Sequence, residues 1–159
     1  MTSTLEHSPT TRVTLSQEVP AIYKAMLRLD TVVADAPLER PLKELVRIRA
    51  SQVNGCAYCI DMHTLDARSI GESEQRIYAL SAWREAPFFT ARERAALALT
   101  EAVTLVHDGH VSDEVYAQAA AEFSAAELAS LVWLIIVINA WNRVGITARL
   151  APGEYDPSA

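Results

Sequence analysis

Asn54-Gly55-Cys56-Ala57-Tyr58-Cys59-Ile60-Asp61-Met62-His63 holds the only two cysteines of the 159-residue chain. Asn54-Gly55 is a helix-stop signal. Beyond it Cys56, Cys59 and His63 recur at i, i+3 and i+7, a single stripe along a new helix. A redox Cys-x-x-Cys of the thioredoxin kind follows a strand in a βαβ unit. Here the residues ahead of Cys56 have helical periodicity. The segment therefore predicts an all-α fold with the Cys-x-x-Cys at the start of a helix.

Working outward, the pattern stays helical and gives a bundle of about seven helices. Residues 1–14 are Ser/Thr-rich and lack periodicity, and read as an N-terminal arm. Residues 15–150 read as one helical domain and 151–159 as a tail. A first helix spans Ser16 to Ala34 with Pro20 in its first turn. Pro37 and Pro41 break the chain before a second helix, Leu42 to Val53. The third runs from Cys56 to Gly71 and the fourth from Glu74 to Arg84. Thr90 with Glu93 forms a capping box that opens a helix to His107, which Asp108-Gly109 closes. Ser112 caps a short helix to Phe123. Ser124 with Glu127 is a second capping box, opening a long helix to Leu150. Leu131–Ile138 is rich in β-branched residues, but its flanking caps and length favour a buried helix.

The formal charge of −6 argues against nucleic acid as a partner, because phosphate binding needs a basic face. Met1 to Ser16 holds no apolar signal region, and the run Leu131–Ile138 is too short to span a bilayer. The expectation is a cytoplasmic protein without a membrane partner. In a reducing compartment a lone Cys-x-x-Cys is more often catalytic or metal-binding than a permanent staple.

A thiol of pKa ~8.5 is only about 3% thiolate at pH 7, and lowering that pKa by ~2 units takes roughly 2.7 kcal/mol. A helix N-terminus contributes about 0.3–1 kcal/mol. His63, one turn above Cys59, is placed to take its proton. Glu44 precedes Cys56 by twelve residues, about 18 Å on one continuous helix. It reaches the thiols only if Asn54-Gly55 turns the second and third helices into a hairpin. In that arrangement it orients the His63 imidazole and makes it a better base.

Glu44, Cys56, Cys59 and His63 at this spacing resemble the alkylhydroperoxidase D-like branch of the carboxymuconolactone decarboxylase superfamily. The tight match spans residues 44–63, and Trp83–Arg94 is similar to peroxidase-related members. The resemblance implies an all-helical fold assembled as trimers or hexamers, with no cofactor and no metal. It implies a peroxidatic Cys59 and a resolving Cys56. Glu44 and His63 would move protons, the substrate would be a small hydroperoxide, and an external dithiol would reduce the Cys56–Cys59 disulfide. Where the better-studied peroxidases of this branch carry a second histidine, just before the second cysteine, this chain has Tyr58. Tyrosine, with a pKa near 10, is a poor base at pH 7.

Other readings of the same residues stand beside this one. The dithiol could serve a redox carrier or sensor without peroxidase turnover. Cys56, Cys59, His63 and Glu44 could form a structural zinc site. The cysteines could simply be small core residues. Arg47 and Arg49 read as surface ion pairs worth little, and His107-Asp108-Gly109-His110 as a helix end and turn. Trp83, Trp133 and Trp141 read as core or interface anchors.

Overall fold

The computed structural model describes residues 12–158. Its helices are α1 (Leu15–Glu18), α2 (Pro20–Ala34), α3 (Arg40–Asn54), α4 (Ala57–Ser69), α5 (Glu74–Ala79), α6 (Ala91–Thr104), α7 (Asp113–Glu122) and α8 (Ala125–Ala148), with a 3-10 turn at Leu80–Ala82 after α5. Among the described residues there is no strand. The arm expected at residues 1–14 falls mostly outside the described residues.

α3 is the central helix. Leu42 and Val46 face a core built with Leu99 of α6 and Leu131 and Ile135 of α8. Leu45 and Ile48, on the neighbouring face of α3, meet a second core with Ala67 of α4, Leu80, Trp83 and Leu97. A helix buried on two faces cannot shift without opening both cores, so what α3 carries is rigidly held. α8 is long and apolar enough to cross a bilayer by length and composition. Its buried residues, however, run from Leu128 to Ala148 against α2, α3 and α6, as expected of a core helix. Trp133, Ile136 and Ile146 remain exposed on its outer face.

The boundaries depart from the sequence reading at identifiable points. The first helix divides at Val19 because Pro20 has no N–H to continue it and instead starts α2. α3 begins at Arg40, so Pro41 lies inside its first turn, where a missing N–H is tolerated. The fourth helix loses α-geometry after Ala79. α6 stops at Thr104, and the exposed turns that follow place Gly109 and His110 at φ 83° and 59°. Both capping boxes form, at Thr90/Glu93 and Ser124/Glu127.

Two polar devices fix the elements around α3. The Lys43 ammonium donates to the Ala34 and Ala36 carbonyls, tying the end of α2 to α3. Asn54 Nδ2 donates to Oδ1 of Asn139 and of Asn142 (2.9 and 2.8 Å), and Asn142 Nδ2 donates to Ser51 Oγ (2.9 Å). Asn142 is fully buried, so this latch joins the end of α3 to α8 away from water. Asn142→Ala removes two of the latch's hydrogen bonds, leaving Asn54 with Asn139 and Ser51 with the Arg47 carbonyl, and a stability loss of about 2 kcal/mol is expected. A urea midpoint equal to wild type would show that the latch carries no weight.

Candidate active site

The site is built on the corner between α3 and α4. Gly55 adopts φ 70°, a left-handed conformation that a residue with a Cβ enters at a cost. Its N–H reaches the Gln52 carbonyl (3.2 Å), and the Cys56 N–H reaches that of Ser51 (3.0 Å), a Schellman ending for α3. Cys56 then serves as the N-cap of α4, its Sγ accepting the Cys59 N–H at 3.4 Å. The chain reverses, and α4 packs back along α3 as the hairpin reading required.

Cys56 and Cys59 are joined as a disulfide, their Cα atoms 5.4 Å apart. Both are buried. Gly145 of α8 lies against them. A Cβ there would sit 3.1 Å from Cys56 Sγ and 3.6 Å from Cys59 Sγ, so a mid-helix glycine lets the α8 backbone approach the sulfurs.

Glu44 is buried and sits between His63 and Arg47. Its Oε2 lies 3.1 Å from His63 Nδ1, and its Oε1 accepts from Arg47 Nη1 at 2.7 Å. An ionised carboxylate only accepts, so Nδ1 carries the proton and Nε2 is the ring nitrogen left for chemistry. Arg47 is no surface ion pair. Its side chain is 12% exposed, lies 3.9 Å from Asp30 and lines the cavity described below. Arg49 stands apart, bonded to Glu101 at 2.7 Å beside Trp83.

Two residues that the sequence reading missed complete the cluster. Asp66 Oδ2 lies 3.6 Å from His63 Nδ1, at ion-pair rather than hydrogen-bond distance. Its Oδ1 accepts from the Tyr155 hydroxyl at 2.6 Å. Asp66 falls three residues after His63, so it extends the Cys56-Cys59-His63 stripe by one more turn. Tyr155 comes from the tail, with no local signal to mark it.

Burial alone would push the His63 pKa down, but the Asp66 and Glu44 carboxylates more than offset it, and the pKa stands above the ordinary value. A folded pKa above the unfolded ~6.5 adds stability that is fully present below that pH and lost as pH rises through the folded value. The stability difference between wild type and His63→Gln should therefore shrink as pH rises from about 6.5 through the raised His63 pKa. Urea titrations of both oxidised proteins across that range test this. A difference independent of pH would mean the charge on His63 is not coupled to folding.

A cavity of about 220 Å³ opens onto this cluster. Cys59, His63, Arg47 and Tyr58 line it together with the apolar Leu27, Ile138 and Trp141. Of the two cysteines, only Cys59 reaches the cavity wall. Tyr23 meets Trp141 edge-on at 5.6 Å, closing one side. Burial, and after it Tyr23 and Asp61, raises the Tyr58 pKa, so Tyr58 is a donor here and no base.

Glu44, His63 and Asp66 bring ligand-type atoms within 4.8 Å of one another. Arg47 and Tyr155 already engage these carboxylates, and an arginine there opposes a cation.

The profile of the carboxymuconolactone decarboxylase family matches residues 20–102, from the start of α2 into α6 and across all four predicted site residues. The uncharacterized protein YdfG of Bacillus subtilis (strain 168) is 43% identical over 135 residues, 85% of this chain and 92% of its own length.

The chain belongs to the carboxymuconolactone decarboxylase family, in its alkylhydroperoxidase D-like branch.

A solved structure of an Agrobacterium tumefaciens protein of unknown function, named as a candidate antioxidant defence protein AhpD, superposes with a TM-score of 0.89. It has 36% identity and covers 92% of this chain and all of that one. The debrominase Bmp8 shares the fold at a TM-score of 0.74 and 19% identity, over 85% of this chain and 73% of its own. The fold is thus shared by differently named proteins, and the chemistry has to be argued from the site. Gly145 and Tyr155 lie outside the segment that the family profile matches.

Proposed function

We propose that this chain is a thiol-dependent peroxidase for small organic hydroperoxides or hydrogen peroxide. The observation that carries the reading is the cavity ending on Cys59 beside His63, whose Nδ1 is held by the buried Glu44. In the reduced protein, His63 takes the Cys59 proton, giving thiolate and imidazolium. The thiolate attacks the terminal peroxide oxygen, the O–O bond breaks, and the alkoxide leaves with the His63 proton as an alcohol. Cys59 is then a sulfenic acid. The Cys56 thiol displaces its hydroxyl as water and forms the disulfide.

Resetting the site needs an external dithiol. Attack on Cys59 from the cavity would expel Cys56 as thiolate at the N-terminus of α4. The helix dipole and the Cys59 N–H stabilise charge on that sulfur, which favours it as a leaving group. A reducing, cytoplasmic setting is part of this reading. Reduced protein treated with one equivalent of tert-butyl hydroperoxide under argon should yield one equivalent of tert-butanol and a mass loss of two hydrogens. Intact thiols with unconsumed peroxide would reject the proposal.

One observation favours a second reading, a dithiol carrier with little peroxidase turnover. Tyr58 stands where a second base would help the leaving alkoxide, and it holds its proton. Fast disulfide exchange together with slow peroxide reaction would select the carrier.

The exposed Trp133 and Ile136 of α8, with Ile22 and Val32 of α2, give this monomer a substantial apolar surface. We propose that homo-oligomerisation, as a trimer or hexamer, covers it. Sedimentation equilibrium should give a multiple of the 17.5 kDa chain mass, and a monomer at micromolar concentration would contradict it.

A further inference from the structure

We infer that Asp66 and Tyr155 are positioning residues for His63: the C-terminal tail clamps one oxygen of Asp66 and thereby fixes the other against the imidazole. The inference rests on the proposed proton-transfer role of His63, but its geometry is independent of the substrate.

The tail follows a defined path to reach this point. α8 ends with Arg149 in the left-handed region at φ 56°, and the Leu150 N–H returns to the Gly145 carbonyl at 3.0 Å. Leu150 then lines the cavity. Gly153, at φ 99°, donates its N–H to Asp61 Oδ2 at 2.8 Å. Two residues later the Tyr155 hydroxyl donates to Asp66 Oδ1 at 2.6 Å. Five helical residues, from Asp61 to Asp66, rise about 7.5 Å. Two extended residues, from 153 to 155, span about 7 Å. The tail therefore runs in step with α4 and meets it at both aspartates.

A carboxylate with one oxygen held by a phenol cannot rotate freely. Asp66 Oδ2 is thus kept 3.6 Å from His63 Nδ1 while Glu44 holds the same nitrogen at 3.1 Å. The charged and titratable groups around His63 are Glu44 and Arg47 from α3, Asp66 and Tyr58 from α4, Tyr155 from the tail, and Asp30 of α2 through Arg47. Of the two carboxylates flanking the ring, Asp66 alone is tied to a separate part of the chain. Burial and then Asp66 raise the Tyr155 pKa to about 12, so the phenol keeps its proton and its role as donor at neutral pH. For Asp66, burial acts upward, but the contacts with His63 and Tyr155 prevail and keep it ionised.

The test reads the imidazole on the full-length oxidised protein, without peroxide, so its outcome is separate from that of the peroxidase proposal. His63 is followed by NMR titration, assigned through the signal missing in His63→Gln. Asp66→Asn should lower the His63 pKa by about one unit, roughly a tenfold loss of proton affinity. Tyr155→Phe, at a half-buried tail residue, should lower it by a smaller, measurable amount in a protein that stays folded by circular dichroism. An unchanged His63 titration in Asp66→Asn overturns the inference. A Tyr155→Phe titration that is unchanged or raised removes the tail from it. Should Asp66→Asn fail to fold, the Tyr155→Phe result decides alone.

Discussion

Cys59→Ser should abolish peroxide consumption by the reduced protein. A serine hydroxyl is no substitute for a thiolate at neutral pH, and the remaining Cys56 is buried without reaching the cavity wall. The reciprocal Cys56→Ser should behave differently. It keeps the cavity-facing sulfur and should consume about one peroxide per chain, then stop, because no second thiol resolves the sulfenic acid. A sulfenic-acid trapping reagent should label Cys56→Ser after peroxide and leave Cys59→Ser unlabelled. Both variants should keep wild-type helicity, since a core of this size does not depend on one three-residue disulfide loop. Full turnover by Cys59→Ser would assign the attack to Cys56 and contradict the cavity argument.

Glu44→Gln is the second large effect expected, and it should strike rate and stability together. The carboxylate fixes the Nδ1 proton of His63 at 3.1 Å and neutralises Arg47 at 2.7 Å. An amide in its place can offer its oxygen to only one of these donors and turns an N–H toward the other, and it removes a negative charge from a buried site. The His63 pKa then falls and its orientation is no longer enforced. General acid–base groups contribute about 10²–10⁴ in rate, so a loss of about a hundredfold or more in the peroxide step is expected. Arg47, 12% exposed, would retain only Asp30 at 3.9 Å. That deficit should cost about 2–3 kcal/mol of stability. Stopped-flow kinetics and urea unfolding of the same preparation measure both. A rate within twofold of wild type would remove Glu44 from the mechanism.

Much of the fold was legible because its signals are local. Gly55 had to be left-handed, both capping boxes named helix starts to the residue, and Asn54-Gly55 turned Glu44 back onto His63. Two of the boundary differences come from proline: Pro20 and Pro41 each occupy a helix's first turn, a position sequence alone does not separate from a break.

The site was less completely legible. Asp66 lay on the stripe already recognised, one turn beyond His63, and could have been found by extending it. Tyr155 could not, because only the left-handed Arg149 and the Gly153 contact with Asp61 bring the tail back across α4. Arg47 reads from sequence as a surface residue because a helix-face arginine beside a glutamate usually is one. Its pairing with Glu44 and its approach to Asp30 of α2, on the wall of the cavity, keep it largely out of solvent instead.

The central claim is that the cavity-facing dithiol reacts with hydroperoxide as an activated pair. Stopped-flow mixing of anaerobically reduced protein with excess tert-butyl hydroperoxide, followed by thiol loss, tests it most directly. The account predicts loss of both thiols in one kinetic phase, orders of magnitude faster than free cysteine under the same conditions and absent in Cys59→Ser. Thiol loss at the rate of free cysteine would contradict it.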